Sequence, residues 1–301
     1  MRYLPTGASG RPNAAEAAAG LDCAAAFQKI ALDAVEAIKA HRTGACAGDV
    51  EAVHQIRVAI TRLRAAVAFF APIVAGAEWL RLKQEVRWLN GPLGAARDSD
   101  VMVEYARSQK YRAWAQTMIG ARIAQCQTRD HRRLVRCLRS ARTQRLIAAL
   151  ARWARQGAWL ELYTRRKDAE TLPSYCAGEL NRWHARLLRK GKRLKTVGTG
   201  RRHRLRIRVK RFRYIIEALT ETVPLWGRGK FHHLHRPAKR LQRALGDMRD
   251  LRRLADLAGA VPPAGNGKRR RKYPPGYRQR NEKLLDAAIV AYRDLKHAEA
   301  G

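Results

Sequence analysis

The apolar positions of this chain recur at helical spacing almost from end to end. No run alternates apolar and polar residues between turns, as a strand would. The pattern predicts an alanine-rich first helix over residues 13–40 and a break at Gly44–Gly48. Asp49 then caps a second helix, which Pro72 closes near residue 71. Residues 78–89 read as the next helix, interrupted at Gly91-Pro92, and another starts after Asp98. Long helical patterns follow over 113–138 and 143–156, and Gly157 with Leu172-Pro173 marks a mid-chain boundary. Beyond it come helices over 175–190, 203–222, 232–258 and 277–297. Gly198-Thr199-Gly200 and a basic loop over 261–276, rich in Pro and Gly, read as mobile connections. The expected fold is all-α. It comprises two related antiparallel helical bundles, over 13–160 and 172–301, after a disordered start over 1–12.

The relation between the halves rests on an internal repeat. Residues 54–64 read His-Gln-Ile-Arg-Val-Ala-Ile-Thr-Arg-Leu-Arg, and residues 203–213 read His-Arg-Leu-Arg-Ile-Arg-Val-Lys-Arg-Phe-Arg. His54, Arg57, Arg62 and Arg64 match His203, Arg206, Arg211 and Arg213. Further on, Leu89, Leu93, Gly94, Arg97 and Asp98 recur as Leu241, Leu245, Gly246, Arg249 and Asp250. Two motifs recurring in the same order, at nearly the same offset, predict pseudo-twofold packing of the halves.

On a helix, Val53, Ile56, Ile60, Leu63 and Val67 share one stripe, which the core must cover. His54, Arg57, Thr61 and Arg64 form the neighbouring stripe, and His203, Arg206, Lys210 and Arg213 are its second copy. The rungs of each ladder stand about 5–6 Å apart. Arg62, Arg211, Arg204 and Arg208 point to the more solvated side. Lys83 and Arg87, four residues apart, and Lys239, which aligns with Arg87, can extend the cationic surface from adjacent helices. Neither ladder contains a carboxylate, and Glu217 is the nearest after the second. A solvated basic face normally carries neutralising acids at i±4. Gly94 and Gly246 read as turns or close helix contacts, and Asp98 and Asp250 as N-caps or as partners of Arg97 and Arg249.

Composition sets the ligand class. The 301 residues carry 62 Lys plus Arg against 25 Asp plus Glu, a formal net charge of +37. Such an excess repels itself, and a resident polyanion relieves it. Nucleic acid, a membrane surface and polyphosphate are the candidate classes. Arginine offers a planar fork for two phosphate oxygens, lysine a mobile charge, and histidine a donor that strengthens beside phosphate. The two histidines admit either a phosphate-donor role or a structural one.

Other chemistry finds little support. No apolar stretch is long and uncharged enough to span a membrane, and no secretory signal opens the chain. Five scattered cysteines without a CxxC spacing fit free thiols in a reducing cytoplasm. His232, His233 and His235 lack a carboxylate or cysteine at ligand spacing, so they read as a helix start and no metal is expected. There is no phosphate-cradling Gly loop and no catalytic triad, and no cofactor is implied.

The paired His-x-[Ile/Leu]-Arg…Arg-[Leu/Phe]-Arg and Leu-Gly-x-x-Arg-Asp motifs resemble those of the CHAD family, named for conserved histidines in an α-helical domain. The resemblance covers residues 13–297 and is closest at Val53–Val58, Leu93–Val101 and Arg202–Ile207. It implies two helical bundles around a basic groove or pore that binds inorganic polyphosphate without catalysis, in the cytoplasm and at polyphosphate granules. Carried over by motif, the phosphate-binding residues are His54, Arg57, Arg64, His203, Arg206, Lys210 and Arg213, with Lys83, Arg87 and Lys239 beside them. Thr61 stands where the second copy has Lys210, which weakens one rung. Some relatives carry a fused triphosphatase domain. This chain lacks the Glu-x-Glu-x-Lys motif, so the resemblance is to the stand-alone type and implies no hydrolase activity.

The alternative is an RNA- or DNA-binding protein that grips the nucleic-acid backbone. Its expected affinity is lower, because aromatic stacking platforms are scarce: the first ladder has none, and the second offers Phe212 and Tyr214.

Overall fold

The computed structural model describes residues 21–108, 116, 118–165, 170–222, 232–259, 273 and 276–298. The expected disordered start, the first turns of the 13–40 helix and nearly all of the 261–276 loop lie outside them. Every regular element among the described residues is a helix. In chain order these are α1 (Cys23–Cys46), α2 (Val50–Phe69), the short α3 (Ala71–Val74), α4 (Ala77–Arg107), α5 (Met118–Arg139) and α6 (Ala141–Gln156). Then follow α7 (Ala158–Thr164), α8 (Leu172–Gly191), α9 (Thr199–Thr222), α10 (His232–Gly259) and α11 (Tyr277–His297).

Local chemistry sets the ends. The Asp22 carboxylate accepts from the Ala25 amide at 2.7 Å, and Asp49 accepts from Glu51 at 2.8 Å, so α1 and α2 each start on an acidic cap. Gly48 turns the chain between them at φ 91°, a conformation that favours glycine. The stripe of Val53, Ile56, Ile60, Leu63 and Val67 is buried throughout. Each such side chain contributes about 1.5–3 kcal/mol.

Helix α1 packs along α2 and against α5 and α6, while α4 packs on α2, α5 and α6. In the second half, α9 packs on α8 and α10, and α10 on α11. The halves meet chiefly where α9 lies across α2 and α1. One core cluster runs through both. Its aromatic joint sets Tyr175 parallel to Phe70 at 5.5 Å, with the Tyr175 hydroxyl donating to the Phe69 carbonyl at 2.7 Å.

Two expected breaks are absent. Gly91-Pro92 does not interrupt a helix, and no helix starts after Asp98: α4 runs unbroken from Ala77 to Arg107. Proline there removes one backbone donor, but Leu89, Pro92, Leu93 and Ala96 are all buried along one face. Packing on both sides of Pro92 outweighs the lost bond. Likewise Gly198-Thr199-Gly200 is not a free linker, because α9 begins at Thr199. The Arg202 guanidinium ties the preceding turn down by donating to the carbonyls of Leu194 at 3.2 Å and Lys195 at 3.0 Å. Leu172-Pro173 opens α8, where proline lacks only an amide that would have had no helical partner.

Candidate polyanion site

The crossing of α2 and α9 brings the two cationic stripes face to face. His54 lies in the field of Lys210 on the other helix, and Lys210 in the field of Arg57. Burial, then the charges of Arg57, Arg206 and Arg213, pull the Lys210 ammonium down to about 7, against an opposing pull from Asp98. Burial and Arg97 hold His54 below the ordinary histidine range, and burial and Arg249 do the same to His203. Both rings are therefore mainly neutral at pH 7 in the free protein. Thr61, opposite in role to Lys210, spends its hydroxyl on the Arg57 carbonyl at 2.7 Å.

The glycines of the second motif are not turns but close contacts with a neighbouring helix. They lie inside α4 and α10, under the arginines of the first motif. Arg57 Nη1 donates to the Gly94 carbonyl at 2.9 Å, and a Cβ on Gly94 would stand 3.4 Å from that nitrogen. In the other half, a Cβ on Gly246 would stand 3.4 Å from Arg206 Nε. That Nε is buried without a hydrogen-bond partner.

Asp98 is the acid at the centre. It caps no helix and does not bond Arg97. Its carboxylate receives Arg249 Nη2 at 2.9 Å and Nη1 at 3.3 Å, a further bond from Arg253, and stands 3.9 Å from Arg57. Burial would raise its pKa, but the Arg249 bond and the charges of Arg249, Arg253 and Arg57 hold it below the usual aspartate value. Asp250, its counterpart in the repeat, stands 3.8 Å from Arg249, and burial keeps its pKa above the usual range. The sequence reading missed Arg249 and Arg253 as members of this cluster. Arg249 had a signal, since it aligns with Arg97 in the repeat. Arg253 had none, because only the crossing of α4 and α10 brings it to Asp98.

The remaining expected residues divide. Arg213 is committed within the protein: it donates to Gln242 at 2.9 Å and to Glu217 at 2.7 Å, and its guanidinium lies 4.3 Å from the Tyr214 ring centre. Arg64 lies away from the centre, in the field of Arg211 and Arg87. Arg87, Lys83 and Lys239 are exposed, and no hydrogen bond or ion pair joins them to the Asp98 cluster. Arg62 points away from the ladder, as expected, and grips Glu221 at 2.8 and 3.1 Å.

His235 is not part of a bare surface start. It is half-buried and bonded to Glu217 at 2.7 Å. No group of three metal-ligating side chains occurs among the described residues. Phe212 and Tyr214 are both buried, so neither offers an open face for a base. No helix among the described residues is long and apolar enough to cross a membrane.

Comparison with known proteins places this arrangement. The CHAD-domain family model matches residues 29–259. No curated protein matches the chain. Among solved structures, the CHAD domain from the plant Ricinus communis aligns with a TM-score of 0.68 at 24% identity, over 91% of this chain and 93% of that one. PptA from Streptomyces chartreusis aligns at 0.59 and 16% identity, over 93% and 98%. At these identities the structural likeness concerns the fold. The family match takes in both His-Arg motifs and both Leu-Gly motifs, and so the chain belongs to the CHAD-domain family.

Proposed function

We propose that the protein binds inorganic polyphosphate without transforming it, through the two ladders that its halves, 13–160 and 172–301, contribute from α2 and α9. His54, Arg57, His203, Arg206 and Lys210 form the centre. Arg64, Arg213, Lys83, Arg87 and Lys239 extend it, and the two halves are related about a pseudo-twofold axis. The observation that carries this reading is the crowding of Arg57, Arg206, Lys210, Arg249 and Arg253 in a half-buried place, where Asp98 is the acid hydrogen-bonded to the cluster and Asp250 pairs only with Arg249 at 3.8 Å among the described residues. Burial first, and then the like charges around it, bring the Lys210 ammonium down to about 7. A polymer with one negative charge per repeat answers that arrangement. Burial of Phe212 and Tyr214 supports bare phosphate over stacked bases. Attachment to polyphosphate granules in the cytoplasm follows from the same affinity.

The test is competition at physiological salt between long-chain polyphosphate and mixed-sequence RNA or DNA, at equal phosphate concentration. Tighter binding of polyphosphate is the expected result. Tighter binding of nucleic acid overturns the reading. Salt dependence alone does not discriminate, because every polyanion complex releases counterions.

A further inference from the structure

The stripe of the first ladder does not stop at Arg64. Ala68 lies one turn further along the same face of α2, and it lines a cleft of about 230 Å³. The other walls are Trp183, Arg186 and Leu187 from α8, and Arg208 and Arg211 from α9. Arg186 and Arg208 are exposed and Arg211 is half-buried. None of the three has a hydrogen bond or ion pair among the described residues. The acid on this side of α8, Glu179, is already engaged, receiving the Trp183 indole N–H at 2.7 Å and Arg182 at 2.7 Å. Arg211 and Arg64 act on each other, and Arg87 adds a third charge. Along the α2 stripe, Arg64 thus stands between the Asp98 cluster and this cleft.

We propose that the cleft is a second phosphate subsite, in which Arg186, Arg208 and Arg211 hold the part of a condensed-phosphate chain that has passed beyond Arg64. The inference rests on the polyphosphate reading of the ladders and adds a selectivity to it. Trp183 forms one wall, with its indole N–H bonded to Glu179 and Phe69 packed against it at a steep angle, 5.7 Å between ring centres. Arg57 and Ala68 are eleven residues apart on α2, so a rise of about 16 Å separates the centre from the cleft. A tripolyphosphate seated at the centre does not reach the cleft, whereas a long chain does. The cleft therefore makes binding depend on chain length.

The experiment measures affinity for tripolyphosphate and for long-chain polyphosphate by calorimetry at physiological salt. It compares the wild type, R186A/R208A/R211A, R57A/R206A, and a charge-matched control, R132A/R133A/R136A, on the exposed side of α5. Circular dichroism confirms that each variant is folded. The cleft variant should lose about tenfold in long-chain affinity, with a shallower salt slope, and keep its tripolyphosphate affinity. Long-chain affinity unchanged in the cleft variant overturns the subsite. So does a loss that the α5 control matches, or one shared equally by tripolyphosphate. Unchanged binding of both ligands in R57A/R206A is a separate failure, and it sinks the ladder reading itself.

Discussion

Arg57 lies over Gly94, with one guanidinium nitrogen donating to the glycine carbonyl at 2.9 Å. Arg206 lies over Gly246, but its buried Nε has no hydrogen-bond partner. Each glycine sits in mid-helix, where it costs about 1 kcal/mol relative to alanine. The glycines earn their place by leaving room for a guanidinium. Gly94→Ala meets only the end of a flexible side chain, at 3.4 Å, and should raise stability by about 0.5–1 kcal/mol in thermal denaturation. Gly94→Val fills the space of the guanidinium and should weaken polyphosphate binding about fivefold with the fold intact. Equal affinity in the valine variant would show that Arg57 does not need its present position.

On the polyphosphate proposal, Asp98 stands in for the ligand among Arg57, Arg249 and Arg253. Asp98→Asn removes charge from the bonds to Arg249 and Arg253, and should lower the stability of the free protein by roughly 2 kcal/mol. The same change frees three guanidiniums and should tighten polyphosphate binding several-fold. Denaturation with and without polyphosphate separates the two effects. The sign with pH is defined, because the folded pKa of Asp98 lies below the unfolded one. Its share of stability is present above the ordinary aspartate value and is lost as the pH falls through the depressed one.

Lys210 makes binding take up a proton. In the free protein its pKa is about 7, against an ordinary 10.5. Between those values the unfolded chain holds more protons, so this group makes the free protein more stable as the pH rises. A phosphate beside it restores the proton. Affinity should therefore fall as the pH climbs from 7, by at most about tenfold per unit for one coupled proton. Lys210→Arg stays charged and should flatten the profile. Calorimetry in two buffers of different ionisation heat should show net proton uptake in the wild type and less in the variant.

The histidines give a second, lower window. Burial and neighbouring arginines keep His54 and His203 below the ordinary 6.5, so each is ready to gain a proton beside phosphate. Affinity should increase as the pH falls from 6.5 to 5.5. The double variant H54Q/H203Q should lose that increase and keep its affinity at pH 8. If affinity falls equally at both pH values, the rings are structural.

The fold was legible because helical periodicity and caps are local. The Val53-to-Val67 stripe and the Asp49 cap need only their own helix. What stayed hidden is tertiary. Pro92 is carried through α4 by packing that a local rule does not contain. Asp98 finds Arg249 and Arg253 only because α4 and α10 meet. The commitment of Arg213 to Glu217 was open to reading, since the two are four apart on one helix. The scarcity of other acids nearby drew attention away from it.

Asp98 and Arg249 are 151 residues apart in the chain. Tyr175 and Phe69 are 106 apart. Both contacts cross between the halves, and each half holds one side of each. A polypeptide ending in the 157–171 region would leave the Asp98 carboxylate without Arg249 and Arg253, and an aromatic socket without its plug. Its complement would have the reverse defects. The two fragments should each be insoluble or unfolded when produced alone, and should recover polyphosphate binding when produced together. In that sense the molecule behaves as a naturally fused heterodimer, whose proposed ligand site is also the seam.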